Sequence, residues 1–370
     1  MMLKTKKIGK YFDIVDIRNK DLKIRKILGL NIDKEFIPTI ANTTNLDISN
    51  YKIIKKNQFA YSSMQTGRDE TIRLALYKDE ESAVISPAYT VFEINNKNEI
   101  LEDFLMMWFL RPESDRYGWF ISDGTVRASL EWDRFCEIEI PHVSLDVQKK
   151  YSSIITLLNN KNDNLKLKVS SLNKIKKILL HKLFKDNKKI DLGPYIEPVN
   201  SINEGQYNNV KGISSIKKSF IKTKANMHGV NIEDYKIVEF NHFAYNPNTA
   251  RMGDRIPIAL NTGKPCLVSK IYPVFKVKDE NIINPHFLKI LLSRSEFDRY
   301  ARYNSWGSAR ETFEFSEMQR VPIIIPRLEE QSIIVKIDDI LRKFYNELEK
   351  IENLIPKISP ILIKGASKLT

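Results

Sequence analysis

Tyr51–Tyr61 reads YKIIKKNQFAY, and Tyr235–Tyr245 reads YKIVEFNHFAY. Seven of these eleven positions are identical, and the second stretch begins 184 residues after the first. Further identities follow in the same order at an offset of 183, which implies one deleted residue: Asp115-Arg116-Tyr117 with Asp298-Arg299-Tyr300, and Gly124, Arg127 and Glu131 with Gly307, Arg310 and Glu314. A repeat of about half the chain indicates a duplicated domain rather than a solenoid.

Each repeat changes its pattern once. The first part mixes short β-rich runs with short helical segments. The predicted strands are Tyr51–Tyr61, Tyr89–Ile94, Tyr272–Val277 and Val321–Ile325, and the predicted short helices are Leu101–Leu110 and Pro285–Ser293. The second part is long and rich in lysine and glutamate, which favours an extended helix.

These long segments carry apolar heptads, the pattern of a coiled-coil seam. The seam positions are Leu158, Leu165, Leu172, Leu179, Leu341, Phe344, Leu348 and Ile351. The first helix is predicted over roughly Leu145 to Phe184. The second is expected to stop near Leu354, because Pro356 and Pro360 cannot donate the helical hydrogen bond. Lys161 and Lys168 occupy seam positions where apolar residues are expected.

The order domain, helix, domain, helix predicts an α+β fold. It consists of two tandem mixed α/β domains alternating with two long helices that pair as an antiparallel coiled coil, with a pseudo-two-fold internal repeat. The predicted boundaries are 1–141, 142–187, 188–326 and 327–370. The first helix would be about 60 Å long at 1.5 Å per residue, enough to separate two heads by one to two turns of duplex DNA.

Lysine and arginine exceed aspartate and glutamate by 59 to 46, giving a formal net charge of +13. This surplus favours a polyanionic partner, although a lysine-rich composition bias would produce it too. Cys136 and Cys266 follow no metal-ligand or disulfide spacing, which is consistent with a reducing cytoplasm. The basic N-terminal residues are not followed by an apolar run, so no signal peptide and no membrane association are expected.

Ile325–Gln331 reads IPRLEEQ and stands just before the second long helix. The first copy, Ile140–Gln148, keeps Ile-Pro, Leu and Gln but has Val147 where the glutamate would stand. This duplicated motif, with the domain order, resembles the specificity subunits of type I restriction-modification systems. The resemblance covers essentially the whole chain, so 1–141 and 188–326 would be target-recognition domains.

The resemblance implies a non-catalytic subunit that binds double-stranded DNA and two modification subunits. Those partners would methylate adenine with S-adenosylmethionine, and restriction subunits would join them to cut DNA with ATP and Mg. The target would be bipartite and asymmetric, since the two domains differ in sequence. No cofactor is expected in this chain.

The residues themselves offer little catalytic chemistry. Thr262-Gly263-Lys264-Pro265 lacks the first glycine and the Ser or Thr of a phosphate-binding loop. Asn246-Pro247-Asn248 lacks the second proline and the aromatic residue of an adenine methyltransferase tetrad. The five histidines do not pair at metal-ligand spacing. We therefore predict no catalytic and no metal site.

Two pairs of polar segments are candidates for reading bases, because arginine pairs with guanine and asparagine or glutamine with adenine. The first pair is Ser62–Arg73 and Asn246–Arg255, whose sequences diverge between similar flanks; an ordinary variable hairpin is the alternative. The second pair is Gly124–Arg127 and Gly307–Arg310, where the shared arginine suits backbone contact or a structural ion pair. The candidate DNA-binding residues are Gln65, Arg68, Arg73, Arg127, Asn248, Arg251, Arg255 and Arg310.

Two other functions remain open. One is a self-contained DNA methyltransferase or nuclease, which the missing cofactor motifs disfavour. The other is a coiled-coil adaptor without sequence-specific DNA binding, which would not need two mixed α/β domains. The lysines between Lys166 and Lys189 fit either a solvated helix face or contact with the DNA between two half-sites.

Overall fold

A computed structural model describes residues 5–39, 46–64, 66–123, 128–223, 225–248, 255–307 and 311–368. The chain forms two compact units. Unit 1 comprises Met1–Leu167 with Asn346–Thr370, and unit 2 comprises Lys168–Tyr345. Each unit combines β-sheets with helices, which confirms the predicted α+β class.

Unit 1 contains ten strands and four short helices among its described residues, followed by the start of the first long helix. They are β1 (Thr5–Lys7), β2 (Phe12–Ile14), β3 (Ile27–Leu30), β4 (Phe36–Pro38), β5 (Lys52–Ile54), β6 (Phe59–Ser62), α1 (Thr66–Asp69), β7 (Arg73–Leu76), β8 (Ala83–Ile85), β9 (Thr90–Ile94), α2 (Glu102–Phe109), α3 (Pro112–Ile121), α4 (Trp132–Cys136), β10 (Glu139–Pro141) and α5 (Leu145–Asp186).

The main sheet of unit 1 has four strands in the order β2-β9-β6-β7. Its inner face and helices α2 and α4 form the hydrophobic core. Phe59 and Phe92 stack there with ring centroids 5.0 Å apart and planes 6° from parallel. A second sheet, β4-β3-β8-β5, has its own smaller cluster, and β1 pairs with β10.

Unit 2 repeats this series of elements. They are β11 (Ile190–Asp191), β12 (Ile196–Val199), β13 (Lys211–Ser214), β14 (Ser219–Lys222), β15 (Lys236–Val238), β16 (Phe243–Tyr245), β17 (Ile258–Leu260), β18 (Cys266–Val268), β19 (Val274–Val277), α6 (Pro285–Leu292), α7 (Ser295–Tyr303), α8 (Phe315–Gln319), β20 (Pro322–Ile323) and α9 (Leu328–Lys368).

The main sheet of unit 2 has the order β12-β19-β16-β17, which is the order of the corresponding strands in unit 1. Phe243 and Phe275 stack in its core at 4.9 Å and 5°. The smaller sheet of unit 1 corresponds here to two separate pairs, β13-β14 and β15-β18. A single parallel bridge between Val210 and Leu267 stands where unit 1 pairs β3 with β8.

The prediction of one strand over Tyr51–Tyr61 is wrong. The segment forms β5 and β6, which belong to different sheets of unit 1. Asn57 stands between them with φ of 67°, and Asn241 stands at the corresponding place in unit 2 with φ of 60°. Asparagine tolerates this left-handed conformation better than most residues, so the chain turns here from one sheet to the other.

Helix α5 runs from Leu145 to Asp186, close to the predicted span. Helix α9 continues to Lys368 with Pro356 and Pro360 inside it, so the expectation that it would stop near Leu354 is wrong. Leu362 and Ile363 are buried in the core of unit 1. Burial of these last turns offsets the hydrogen bonds that the prolines remove, since a proline in a helix interior costs about 3 kcal/mol.

The two long helices contact each other within each unit. In unit 1 a Cβ on Gly365 would lie 3.0 Å from the Tyr151 ring, and Lys166 pairs with Glu352 at 3.5 Å. In unit 2 Asn173 donates to the Tyr345 hydroxyl at 2.9 Å. Higher numbers on α5 meet lower numbers on α9, so the helices are antiparallel within unit 1.

Candidate nucleic-acid interface

The first pair of candidate segments connects neighbouring strands of the main sheets. In unit 1 the segment joins β6 to β7, which pair with Tyr61 opposite Leu74 and Ser62 opposite Arg73. In unit 2 it joins β16 to β17, which pair with Tyr245 opposite Ile258. Both ends of each segment are therefore fixed by a buried antiparallel ladder.

Residues that follow the second pair of candidate segments bond to the first pair. In unit 1 the Leu130 amide donates to the Ser63 carbonyl at 2.8 Å, and the Gly67 amide donates to the Ala128 carbonyl at 2.9 Å. In unit 2 the Phe313 amide donates to the Pro247 carbonyl at 2.8 Å. Each unit thus joins the first candidate segment to residues that stand about sixty positions later in the sequence.

Two buried tyrosines complete this framework. The Tyr61 hydroxyl donates to the Leu130 carbonyl, and the Tyr245 hydroxyl donates to the Phe313 carbonyl at 3.1 Å. Burial raises the pKa of both hydroxyls far above the ordinary value, so both remain protonated donors. These are the tyrosines that end the two FAY strings, and they hold the residues that follow the second segment against the sheet.

A pair of lysines that the sequence analysis did not single out anchors the first segments. Lys34, between β3 and β4, pairs with Asp115 of α3 at 2.7 Å, and Asp115 also accepts from the Ile72 amide at 3.0 Å. Lys218, between β13 and β14, pairs with Asp298 of α7 in the same way. Both lysines have left-handed φ, 63° and 47°.

Unit 2 has one further contact at this anchor. The Lys218 ammonium donates to the Ile256 carbonyl at 2.6 Å, while Asp298 accepts from the Ile256 amide at 3.1 Å. Burial lowers the pKa of Lys34 and of Lys218 below the ordinary value, although the partner aspartate favours the charged form in each case. The ion pair therefore holds the end of the candidate segment through its main chain.

Four candidate DNA-binding residues lie among the described residues. Arg68 is exposed and pairs with Asp69 at 3.2 Å. Arg73 is largely buried and also pairs with Asp69. Burial opposes ionisation of Asp69, but hydrogen bonds from Arg73 and Arg68 lower its pKa below the usual range. Arg255 is exposed beside the Lys218 anchor, and its charge contributes to the lowered pKa of Lys218.

Asn248 is partly buried and bridges Thr312 through the backbone. Its side-chain oxygen has no hydrogen-bond partner among the described residues. The other four candidates, Gln65, Arg127, Arg251 and Arg310, lie outside the described residues. The candidates that are described therefore lie on the paired segments of both units.

The glutamine of the IPRLEEQ motif joins the start of each long helix to its own unit. Gln331 accepts from the Asn284 amide at 2.8 Å and donates to the carbonyls of Ile282 and Pro326. Gln148 accepts from the Leu101 amide at 2.9 Å and donates to the carbonyls of Glu99 and Val143. Both amides are buried and fully hydrogen-bonded, so they fix the helix start.

The candidate seam residues are either buried or partly buried. Leu165, Leu341, Leu348 and Ile351 are buried, and Leu158, Leu172, Leu179 and Phe344 are partly buried. Lys161 is exposed and pairs with Glu347 at 2.5 Å. Lys168 is exposed as well. These two lysines therefore stand at the edge of the helix contact rather than inside it.

No group of three or more metal-binding side chains occurs among the described residues. Within the same residues, no helix is long and apolar enough to cross a membrane. Cys136 and Cys266 are free, and burial raises the pKa of each thiol to about 11.

The chain matches known proteins over nearly its whole length. It is 22% identical to the type I restriction enzyme MjaX specificity subunit of Methanocaldococcus jannaschii, covering 93% of this chain and 86% of the relative. It is 23% identical to the MjaVIII specificity subunit of the same organism, covering 75% and 73%.

The fold matches a solved structure as well. The type I restriction-modification S subunit from M. genitalium superimposes with a TM-score of 0.66, at 14% identity, over 99% of this chain and 96% of that one. The sequence profile of the type I restriction modification DNA specificity domain matches residues 166–358, just over half of the chain. These matches confirm the resemblance based on the IPRLEEQ motif: the chain belongs to the type I restriction-modification DNA specificity family and recognises a DNA target.

Proposed function

We propose that each unit reads one half of a split, asymmetric DNA target. The observation that carries this proposal is that the candidate segments of the two units have equivalent anchors but different sequences. Ser62–Arg73 and Asn246–Arg255 diverge, while the Tyr61 and Tyr245 hydrogen bonds and the two lysine–aspartate pairs recur. Two reading surfaces on equivalent scaffolds are what a bipartite target requires. In the proposed division, 1–141 and 188–326 are the recognition domains, and 142–187 and 327–370 are the helical regions.

The proposal treats the two main sheets as copies of one domain related by a pseudo-two-fold axis. It treats α5 and α9 as an antiparallel coiled coil whose length sets the unread gap. The equal strand order of the two sheets and the apolar seam on both helices support this arrangement. Inserting one helical turn into each of α5 and α9 should then lengthen the gap between the half-sites without changing either half.

The proposal assigns the chemistry to partner subunits. Two modification subunits would methylate adenine with S-adenosylmethionine, and restriction subunits would cleave with ATP and Mg. The names of the relatives support this division, since they are specificity subunits of type I restriction enzymes. The chain itself would supply the choice of sequence, in the cytoplasm where these partners and the chromosome meet.

Exposed apolar residues on the long helices form the proposed binding site for the modification subunits. In unit 2 these are Ile333 and Ile340 of α9 and Ile178 of α5; in unit 1 they are Leu354 and Ile361 of α9 and Leu157 of α5. Ile333 and Ile340 are one heptad apart, as are Leu354 and Ile361, which is the spacing that receives an apolar helix. Replacing Ile333 and Ile340 by glutamate should abolish co-purification of the modification subunit.

The test is to map adenine methylation by single-molecule sequencing. The chain would be co-expressed with the modification subunit encoded beside it, and that subunit alone would be the control. A split, asymmetric motif that depends on this chain is the expected result. Methylation or cleavage by the purified chain alone would instead identify an enzyme. A stable complex without any motif would identify an adaptor.

A further inference from the structure

One exposed aromatic ring stands at the same place in each unit. Phe120 lies in the last turn of α3, and Tyr303 is the last residue of α7. Both residues are 81% exposed. They are 183 residues apart, the offset that also relates Asp115 to Asp298. A single exposed ring is ordinary, but an exposed ring at the same position of both units indicates a functional surface.

These rings do not serve the fold. Helix α7 buries Phe297, Asp298 and Ala301, which belong to its inner face, and α3 buries Ser114 and Gly118. Phe120 and Tyr303 are absent from the core clusters of the two units. Truncating either ring should therefore leave the stability of the chain almost unchanged.

In unit 1 the end of α3 adjoins the first candidate segment. A Cβ on Gly67 would lie 2.8 Å from the Ser122 hydroxyl oxygen and 2.7 Å from the Ala128 Cβ, so the end of α3, the first segment and the residue that follows the second segment meet at Gly67. The Arg134 guanidinium donates to the Ile121 carbonyl at 3.0 Å, which places a cation at the same helix end.

In unit 2 the end of α7 adjoins the equivalent first segment. Trp306, three residues after Tyr303, exchanges two backbone hydrogen bonds with Thr312, at 3.1 and 2.9 Å. Thr312 in turn bridges Asn248 of the first segment. Trp306 is itself exposed. The helix end therefore carries an exposed aromatic near the first segment in each unit.

We propose that Phe120 and Tyr303 each pack against the deoxyribose rings of duplex DNA in the half-site that their own unit reads. The inference rests on the proposed function, because it assumes that the adjoining segments face DNA. An aromatic ring can cover the apolar face of a deoxyribose in a groove wall, and such contacts are sequence-tolerant because every nucleotide carries the same sugar. The rings would then contribute affinity in both units, while the divergent segments beside them contribute the choice of bases.

The experiment uses the full chain co-purified with its modification subunit. The probe is a fluorescein-labelled duplex that carries the motif mapped by methylation. Phe120→Ala and Tyr303→Ala should each weaken binding roughly 5- to 100-fold, the range expected when the burial of one aromatic side chain is lost. The slope of log affinity against log salt should stay unchanged, because a ring neutralises no phosphate. Phe120→Tyr and Tyr303→Phe should retain binding.

Phe240→Ala is the matched control. Phe240 is 58% exposed and precedes β16, at the end of that strand away from the candidate segment. If Phe120→Ala and Tyr303→Ala bind within twofold of Phe240→Ala while the wild-type complex reads a split motif, this inference fails and the proposed function stands. If the wild-type complex selects no motif, both fail. Loss of the modification subunit from either variant would assign the rings to a protein interface and overturn the DNA contact.

Discussion

The two units anchor their candidate segments in the same way, although their smaller β-sheets differ. The smaller sheet is a single sheet in unit 1 and two strand pairs in unit 2. In unit 1, β3 and β4 belong to a four-stranded sheet with β8 and β5, whereas in unit 2 the corresponding strands form two separate pairs with one parallel bridge. The lysine at the hairpin tip nevertheless reaches the same aspartate position in both units. The anchor therefore depends on the hairpin and the helix, and the sheet around the hairpin is free to differ.

The buried ion pairs should produce the largest difference between the units. Asp298→Ala leaves the Ile256 amide without its acceptor and the Lys218 ammonium with the Ile256 carbonyl alone, which should lower the free energy of unfolding of unit 2 by about 3–5 kcal/mol. Asp115→Ala should cost unit 1 more, because the Lys34 side chain is 4% exposed and both of its hydrogen bonds among the described residues go to Asp115. Denaturant unfolding would measure both losses.

Hydrogen exchange would localise the effect to one unit. The Ile256 amide should exchange faster only in Asp298→Ala, and the Ile72 amide only in Asp115→Ala. Asp298→Asn is the matched variant, since it keeps an acceptor for the Ile256 amide. Losses below 1 kcal/mol in both alanine variants would show that the lysines do not anchor the segments.

The motif glutamines should behave alike in the two units. Gln148→Ala and Gln331→Ala each strip three hydrogen bonds from buried backbone groups, and we expect each to cost roughly 1–3 kcal/mol. Gln206, which is exposed, gives a control variant that should be neutral. The measurement is amide exchange in the first turns of α5 and α9. Fraying of one helix start but not the other would break the equivalence.

Replacing an exposed arginine in one unit should affect recognition of only one half of the DNA target. Arg68→Ala and Arg255→Ala should each reduce methylation at the mapped motif roughly 5- to 150-fold and relax the choice of bases in one half only. Arg327, exposed at the start of α9, supplies the control variant. Single-molecule sequencing reads both halves at once. Equal relaxation of both halves by one substitution would contradict separate reading units.

The smallest effects should come from the ion pairs between α5 and α9. Lys176 and Asp338 in unit 2 are 20% and 30% exposed, whereas Lys161 and Glu347 in unit 1 are 56% and 41% exposed. Lys176→Ala should cost up to about 1 kcal/mol and Lys161→Ala a few tenths, because solvent screens the more exposed pair. Unfolding at low and high salt would measure the two losses in free energy. A larger loss for Lys161→Ala than for Lys176→Ala would contradict the prediction.

The sequence was sufficient to predict the α+β class and the long first helix, because those follow from the mixture of strand and helix patterns and from the apolar heptads. It was insufficient for features that depend on tertiary contacts. The turn at Asn57 depends on one backbone angle inside a run of strand-forming residues, and the course of α9 through Pro356 and Pro360 depends on burial of Leu362 and Ile363.

The candidate loops were proposed from the sequence, whereas the residues that anchor them were not. Lys34 and Lys218 are related by the repeat offset, yet the residues around them differ. Because the chain is rich in lysine, one shared lysine does not stand out from chance agreement. Their role as ion-pair partners becomes visible only when the hairpin tip is placed against α3 or α7. The tyrosines and glutamines were visible as identities between the repeats, but the carbonyls they bind could not be read from side-chain patterns.

The anchors of each candidate segment bond largely to main-chain atoms: the carbonyls of Leu130 and Phe313, and the amides of Ile72 and Ile256. Every amino acid except proline provides these amide groups, and all provide the carbonyls. The residues between the anchors can therefore mutate without removing a bond that holds the scaffold. Under the proposed function, the DNA sequence that one unit recognises can therefore change by substitution in its own segment while the fold of that unit persists.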